Sequence, residues 1–543
     1  MSSSPLTADE TRTDGRAPRP RRESPARTFT STSGYVVKLV LMALVNALGL
    51  FIAWSAWTAG SWLLLAGSLV LLAAADWVYF SRRTVPLKYI LPGLLFLLVF
   101  QIFTMAYTGY VAFTNYGSGH TLTKERAVEA LLVQNERRDP DAPSYPLSIL
   151  RNAEGTLGFA IVDDGTVRVG DAGTPLAEAP DATLQGARVT SVPGWDVLAL
   201  TDLVGDPALL EEVSALRVPV SDDEAAGSIR TQDGSRGAIY RSVLVHDAAA
   251  DTMTNVETGV VYRPDDRGNF VAEDGTALGV GWRVVVGFEN FTKAFTDSAY
   301  AGPFAKILVW TFAFAILTVL SSFLVGLLIA GVFNDPRIRG QKIWRTLFIL
   351  PYAFPAFLSA LLWKGMLHSN PDYGIINQLF FFGQRIEWLD DPTLAKLAIL
   401  GVNLWLSYPY WFLVCTGALQ SLPGDVVEAA TIDGAGPVRI WRAITLPLLL
   451  VSTAPLLISS FAFNFNNFTL IYMLTNGRPR FTDTSAPLGH TDILISMVYQ
   501  ISGVAGGRAD YGLASALSLL IFVIVGVISV IAFRQTRKLE EML

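Results

Sequence analysis

The sequence predicts an all-α polytopic membrane protein, with about eight transmembrane helices and one extracytoplasmic α/β loop domain between helices 3 and 4. Three observations predict it. Of the 543 residues 51% are hydrophobic and only 16% charged, the balance of a chain that sits mostly in lipid. Eight stretches reach the roughly 20 apolar residues that a bilayer crossing needs. Between the third and fourth of them the chain turns polar for about 180 residues, too long for a connection and long enough for a core of its own.

Residues 1–34 carry TRTDGRAPRPRRESPART, rich in Ser, Pro and Arg, and are expected to form a disordered cytoplasmic tail. The segment is too long and too polar for a secretory n-region, and no small-residue cleavage site precedes a soluble domain. Residues 35–112 hold the first three spans, near 36–57, 61–80 and 89–112. Residues 113–290 form the external domain, and residues 291–543 hold spans near 304–333, 345–367, 395–419, 447–473 and 511–534. If every span crosses, Arg19, Arg21, Arg22, Arg82, Arg83, Arg337, Arg339, Lys342, Arg345, Arg534, Arg537 and Lys538 all face one side. That side, with both termini, is expected to be the cytoplasm.

The external domain carries 28 acidic against 14 basic residues, a net −14 in a chain of −6. Within it GFAIVDDGTVRVGD reads as two strands joined at Asp164-Gly165, and FVAEDGTALGVGWRVVV as a second pair around Asp274-Gly275. LTKERAVEALLVQNERR reads as a helix with Leu131 and Leu132 on its buried side. It shows no GxSxG, no HExxH and no close Cys/His set, so docking is a better reading than chemistry. The chain's one cysteine, Cys415, lies in an apolar run, and His120, His246, His368 and His490 are far apart. Neither a disulfide framework nor a metal site is expected, and the histidines read as surface residues.

Two features stand out in the second half. The passage EAATIDGAGPVRIWRAITLP, residues 428–447, lies on the cytoplasmic side. Pro423 and Asp425 suit the start of a short helix, and Gly434 and Gly436 permit the reversal that ends it. Pro437 opens a second turn with Ile440, Trp441 and Ile444 at helical spacing. An ordinary interfacial loop would satisfy the same pattern. On the flanking spans, Asn403, Leu406, Ser407 and Tyr410, and likewise Ser460, Phe463, Asn464 and Asn467, are spaced i, i+3, i+4, i+7, so each set shares one helix face. Such groups either bond neighbouring helices or offer amides, hydroxyls and rings to a sugar's hydroxyls and C–H surface. Neither face carries Asp, Glu, Lys or Arg, so a charged ligand would find no fixed counter-charge.

The pattern EAAxxDGAxxxxxxxxIxLP closely resembles the cytoplasmic EAA loop of ABC-importer permeases, at Glu428, Ala429, Ala430, Asp433, Gly434, Ala435, Ile444, Leu446 and Pro447. SSFAFNFNNFTLIYMLTNGRP, GHTDILISMVYQIS and NLWLSYPYWFLVCTGALQSLP resemble the larger, MalF-type permease subunit of maltose/maltodextrin importers. The match is dense over residues 287–538 and weak in the external domain and tail. The resemblance implies a type I ABC importer permease fold in a bacterial cell (inner or plasma) membrane, with residues 421–446 as the loop that couples to the ATPase through Glu428, Ala429, Ala430, Asp433, Gly434 and Ala435. It implies a sugar site at Asn403, Leu406, Tyr410, Ser460, Phe463, Asn464 and Asn467, with Ser407 standing where the family is expected to have glycine. Another disaccharide, such as trehalose, is the alternative cargo. The implied partners are a second permease of the MalG type, two ATPase subunits of the MalK type, a MalE-type binding protein outside, maltose or maltodextrin, and lipid. Nucleic acid is not expected. No Walker A motif occurs in the chain, so ATP and Mg would be used by the partner ATPase, and this chain would bind no cofactor.

Other classes fit less well. A membrane glycosidase or glycosyltransferase would place acidic residues or a metal-binding Asp pair at membrane depth, and Asp163-Asp164 lies in the outer domain. An ion-coupled secondary transporter would need an ionisable group in its spans, for which Asp76 is the nearest candidate. A membrane adaptor would leave the two polar faces unexplained.

Overall fold

In a computed structural model the described residues are 32–542, apart from 82, 187, 224, 225, 336 and 505. Most of the expected tail, with Arg19, Arg21 and Arg22, lies outside them, as do Arg82 and the side chains of Arg537 and Lys538. The chain divides into two compact units, Met1–Thr104 and Met105–Leu543.

In the first unit the helices Thr32–Thr58 and Trp62–Phe80 pack closely at Gly49, where a Cβ would lie 2.2 Å from a Leu72 methyl. Small residues let membrane helices approach in this way. Asp76 accepts a hydrogen bond from Asn46 Nδ2 at 2.9 Å. A carboxyl in an apolar span is therefore partnered across a helix pair.

In the second unit the external domain is built on antiparallel ladders. Its large sheet runs, in spatial order, Ala177–Glu178, Thr166–Asp171, Leu157–Asp163, Tyr145–Asn152, Arg236–Ser242, Ser228–Thr231 and Val218–Pro219. The Asp164-Gly165 turn forms as expected, both residues at positive φ (45° and 84°), the conformation that a two-residue hairpin needs. Leu147, Ile149, Phe159, Ile161 and Val218 meet Leu203 and Val213 of two short helices in the core beneath. A four-stranded sheet, Leu244–Asp247, Thr252–Asn255, Val261–Pro264 and Phe270–Val271, packs with the helix Lys124–Gln134 around Leu131, Met253, Phe270 and Trp282. Leu131 is buried and Leu132 partly buried, but Glu136–Arg138 is a strand and not helix. The Asp274-Gly275 turn is present, yet its return is the single bridge Val271–Ala277; Phe270–Val271 pairs with Val261–Pro264 instead.

Among the described residues seven helices are long and apolar enough to cross a membrane: Gly34–Thr58, Trp62–Phe80, Val85–Ala112, Ala301–Phe333, Pro392–Ser421, Pro437–Phe465 and Tyr511–Thr536. The remaining expected span, the fifth at 345–367, is a broken pair, Gln341–Ala353 and Ala356–Met366, bent by 90°. Pro355 supplies no N–H and forces Phe354 before it into an extended conformation (ψ 133°), so the helix cannot run through. The seventh span also departs from expectation. It starts at Pro437, its first turns joined to the rest through a π-helical stretch at Trp441–Thr445, and it ends at Phe465. The second amphipathic turn of the passage 428–447 is thus the foot of that span.

Ala301–Phe333 and Pro392–Ser421 form the central pair. Gly326 makes their contact possible: a Cβ there would lie 2.6 Å from the Trp411 Cβ. Phe323 and Trp411 meet edge to face at 5.2 Å beside it.

Candidate functional site

All eight residues of the two polar faces line one cleft of about 640 Å³ between Pro392–Ser421, Pro437–Phe465 and the break in Gln341–Met366. They do so in two ways. Asn403 and Asn464 are 2% and 3% exposed, and they clamp helices together: Asn403 Nδ2 donates to Asn464 Oδ1 at 2.8 Å and to Thr318 Oγ1 at 3.3 Å. Asn464 Nδ2 donates to the Ser460 carbonyl at 2.9 Å, and Ser407 Oγ to Asn403 Oδ1 at 3.4 Å. These groups are mostly satisfied by protein. By contrast Phe463 is 70% exposed, and the hydroxyls of Tyr410 and Ser460 have no protein partner among the described residues. Asn467 does not continue the helix face, because the helix has ended at Phe465; it caps the next helix, Phe468–Leu474, its Oδ1 accepting from Leu470 N at 3.4 Å. Its Nδ2 has no hydrogen-bond partner among the described residues and borders the cleft.

The sequence reading missed the wall opposite. Tyr352, Phe354 and Phe357 come from the proline break and have no helical periodicity that could announce them; Pro351 and Pro355 flanking aromatics were the available signal. None of the cleft-lining residues is Asp, Glu, Lys, Arg or His. Also missed was Asp492, 0% exposed in the segment before Leu494–Ile501. Burial pushes its carboxyl up to about 6, while hydrogen bonds from Ser496 Oγ and Gly489 N and the nearby Arg480 pull the other way. It holds its own turn together and does not line the cleft.

The residues from Glu428 to Ala435 lie apart from the cleft. Gly424–Ile432 is a separate nine-residue helix with no buried residue. It ends in a Schellman motif: Ala435 N donates to Ala430 O and Gly434 N to Thr431 O, each at 3.0 Å, with Gly434 at φ +80°. Glu428, Ala429 and Asp433 face solvent, and Ala430 and Ala435 are half-buried at the motif. Val426, Ile432 and Val438 are exposed beside them, which gives the loop an apolar surface as well as charge.

A family profile described as "Binding-protein-dependent transport system inner membrane component" matches residues 322–540, and "N-terminal of TM subunit in PBP-dependent ABC transporters" matches 95–173. The maltose/maltodextrin transport system permease protein MalF of Salmonella typhimurium is 34% identical over 508 residues, covering 91% of this chain and 96% of that protein. MalF of Vibrio vulnificus is 34% identical over 530 residues, covering 95% and 97%. The chain belongs to the MalF family. As a MalF-family member it is a multi-pass permease of an ABC importer with the type I permease fold. Among solved structures, a chain of a bacterial ABC transporter involved in import of the acidic polysaccharide alginate is 25% identical, with a TM-score of 0.40, over 46% of this chain and 84% of that one. The MalF-family match spans the helices that carry both the cleft and the exposed helix.

Proposed function

We propose that this chain is the larger permease subunit of an importer of maltose and maltodextrin-type neutral oligosaccharides, and that the cleft is its sugar site. The observation that carries this is the composition of the cleft wall: free hydroxyls at Tyr410 and Ser460, a free amide at Asn467, the open ring of Phe463, and no charged group. A polyhydroxylated neutral solute uses these, its hydroxyls meeting donors and acceptors and its C–H face meeting the ring. MalF relatives are maltose/maltodextrin permeases by name, which favours that class over trehalose. Asn403, Asn464 and Ser407 keep the wall in register, and Leu406 fills it.

The partners proposed are a MalG-type permease that completes the pathway, two MalK-type ATPases that use ATP and Mg, and a MalE-type binding protein that delivers sugar from outside. Glu428 to Ala435 would seat in an ATPase subunit. Because the helix stops in a fixed Schellman turn and is followed at once by the Pro437–Phe465 span, a displacement of the helix moves the cleft wall and is not absorbed by a linker. The protein's own residues bind no cofactor in this scheme.

Uptake of labelled maltose into vesicles that hold the assembled complex tests this. ATP-dependent uptake competed by maltotriose supports it. Uptake driven by an ion gradient without ATP, or competed only by trehalose, overturns the machine or the cargo respectively.

A further inference from the structure

The external domain is fastened to the membrane helices through a tight joint. Its entering segment, residues 114–118, lies against the start of the Tyr511–Met542 helix and the residues just before it: Ser118 N donates to Ala509 O at 2.7 Å, Ala509 N to Ser118 Oγ at 2.9 Å, and Gly512 N to Tyr116 O at 2.9 Å. Two glycines make this approach possible, since a Cβ on Gly117 would lie 2.6 Å from Ala509 O and one on Gly512 2.3 Å from Thr114 O. The short helix Glu289–Thr296 at the domain's exit is pinned to the same place. Asn290, buried, donates from Nδ2 to Ala112 O at 2.9 Å and Thr114 O at 2.7 Å.

Asp510 stands at the centre. Its Oδ1 caps the last membrane helix by accepting from Leu513 N at 2.9 Å, and its Oδ2 accepts from Lys293 Nζ at 2.6 Å. One carboxylate therefore ties the first turn of the last helix to the exit helix of the external domain. The pair borders a polar cavity of about 680 Å³ and is about one-third exposed. An ion pair so wetted contributes little to stability, whereas it fixes position.

We propose that Lys293 and Asp510 are a positioning pair through which engagement of the external domain by the importer's soluble binding protein is passed to the last membrane helix. This rests on the importer reading above. The linkage is short, hydrogen-bonded at both ends and free of flexible chain, so a tilt of the domain root displaces Asp510 and the helix it caps.

The test compares ATP hydrolysis by the assembled complex in liposomes as liganded binding protein is titrated, for wild type, Asp510→Asn, Lys293→Met and the double variant. Asparagine keeps the cap to Leu513 N and removes the charge. Maximal stimulation should fall roughly fivefold or more in each single variant, with the binding-protein concentration for half-maximal effect unchanged. The double variant should be no worse than the singles, and Asp510→Glu should recover stimulation in part. Should Asp510→Asn not assemble, Lys293→Met, which leaves the cap intact, carries the same test. Stimulation retained within twofold in Lys293→Met, or single losses that multiply in the double variant, overturns the joint's role. A wild-type complex that no binding protein stimulates overturns the importer reading and the joint with it.

Discussion

Asn464 and Phe463 are neighbours in sequence with opposite duties. Asn464 is buried with its side chain bonded to Asn403 Nδ2 and the Ser460 carbonyl, and Phe463 hangs open in the cleft. Asn464→Ala leaves Asn403 Nδ2 short of its better acceptor, a cost of about 1–3 kcal/mol for a buried polar group. The thermal midpoint of the purified complex should fall with it. Phe463→Ala removes no protein contact of that kind, so the midpoint should hold while the KM for sugar uptake rises roughly tenfold, the loss of about 1.4 kcal/mol of ring contact. If both variants shift stability alike, the division of the wall into scaffold and contact is wrong. The spacing of Ser460, Phe463 and Asn464 was legible because a helix face repeats. The division of labour within it was not, because it depends on what Asn403 and Thr318 on other helices offer. Asn467 was placed on that face by periodicity alone, and two residues of non-helical backbone moved it to the start of the next helix.

At the scale of elements, punctuation by Gly and Pro decided what could be read. Gly434 ends the exposed helix as its sequence indicated, and the motif it completes is local, made by backbone groups five residues apart. Pro355 broke the fifth span where apolar content alone suggested continuity. The strand pair at Asp164-Gly165 was legible for the same local reason, whereas Phe270–Val271 pairs with the strand just before it, Val261–Pro264, across the loop 265–269, a longer hairpin connection than the Asp-Gly turn that the sequence advertised on its other side. Gly434 gives a test of the element as a transmitter. Nothing lies within 4 Å of a Cβ placed there, so Gly434→Ala introduces no clash and only the left-handed strain of about 1–2 kcal/mol for a residue with a Cβ. The C-terminal turn should fray, and sugar-stimulated ATP hydrolysis should fall several-fold while sugar binding, measured by calorimetry on the same complex, is unchanged. Full stimulation in that variant would mean that the turn does not transmit motion.

For the whole molecule, the number of crossings depends on one bent element. Between the external domain and the exposed Gly424–Ile432 helix stand two uninterrupted spans, Ala301–Phe333 and Pro392–Ser421, and the broken pair Gln341–Met366. If the pair turned back, the external domain and the exposed helix would share a side of the membrane, and no cytoplasmic ATPase could reach the latter. Geometry favours crossing. Legs of 13 and 11 residues at a right angle measure about 20 and 16 Å, so their far ends lie roughly 26 Å apart, near the ~30 Å of the hydrocarbon core. The bend carries Tyr352, Phe354 and Phe357 into the cleft, which then lies part-way along a spanning element. The chain's one cysteine, Cys415, is buried, so a Cys415→Ala background allows single reporters at Thr258→Cys and Asp433→Cys, both exposed. An impermeant maleimide applied to right-side-out vesicles should label position 258 at once and position 433 only after the membrane is opened. Labelling of both from outside would make the broken pair re-entrant, and it would remove the exposed helix from any route to an ATPase in the cytoplasm.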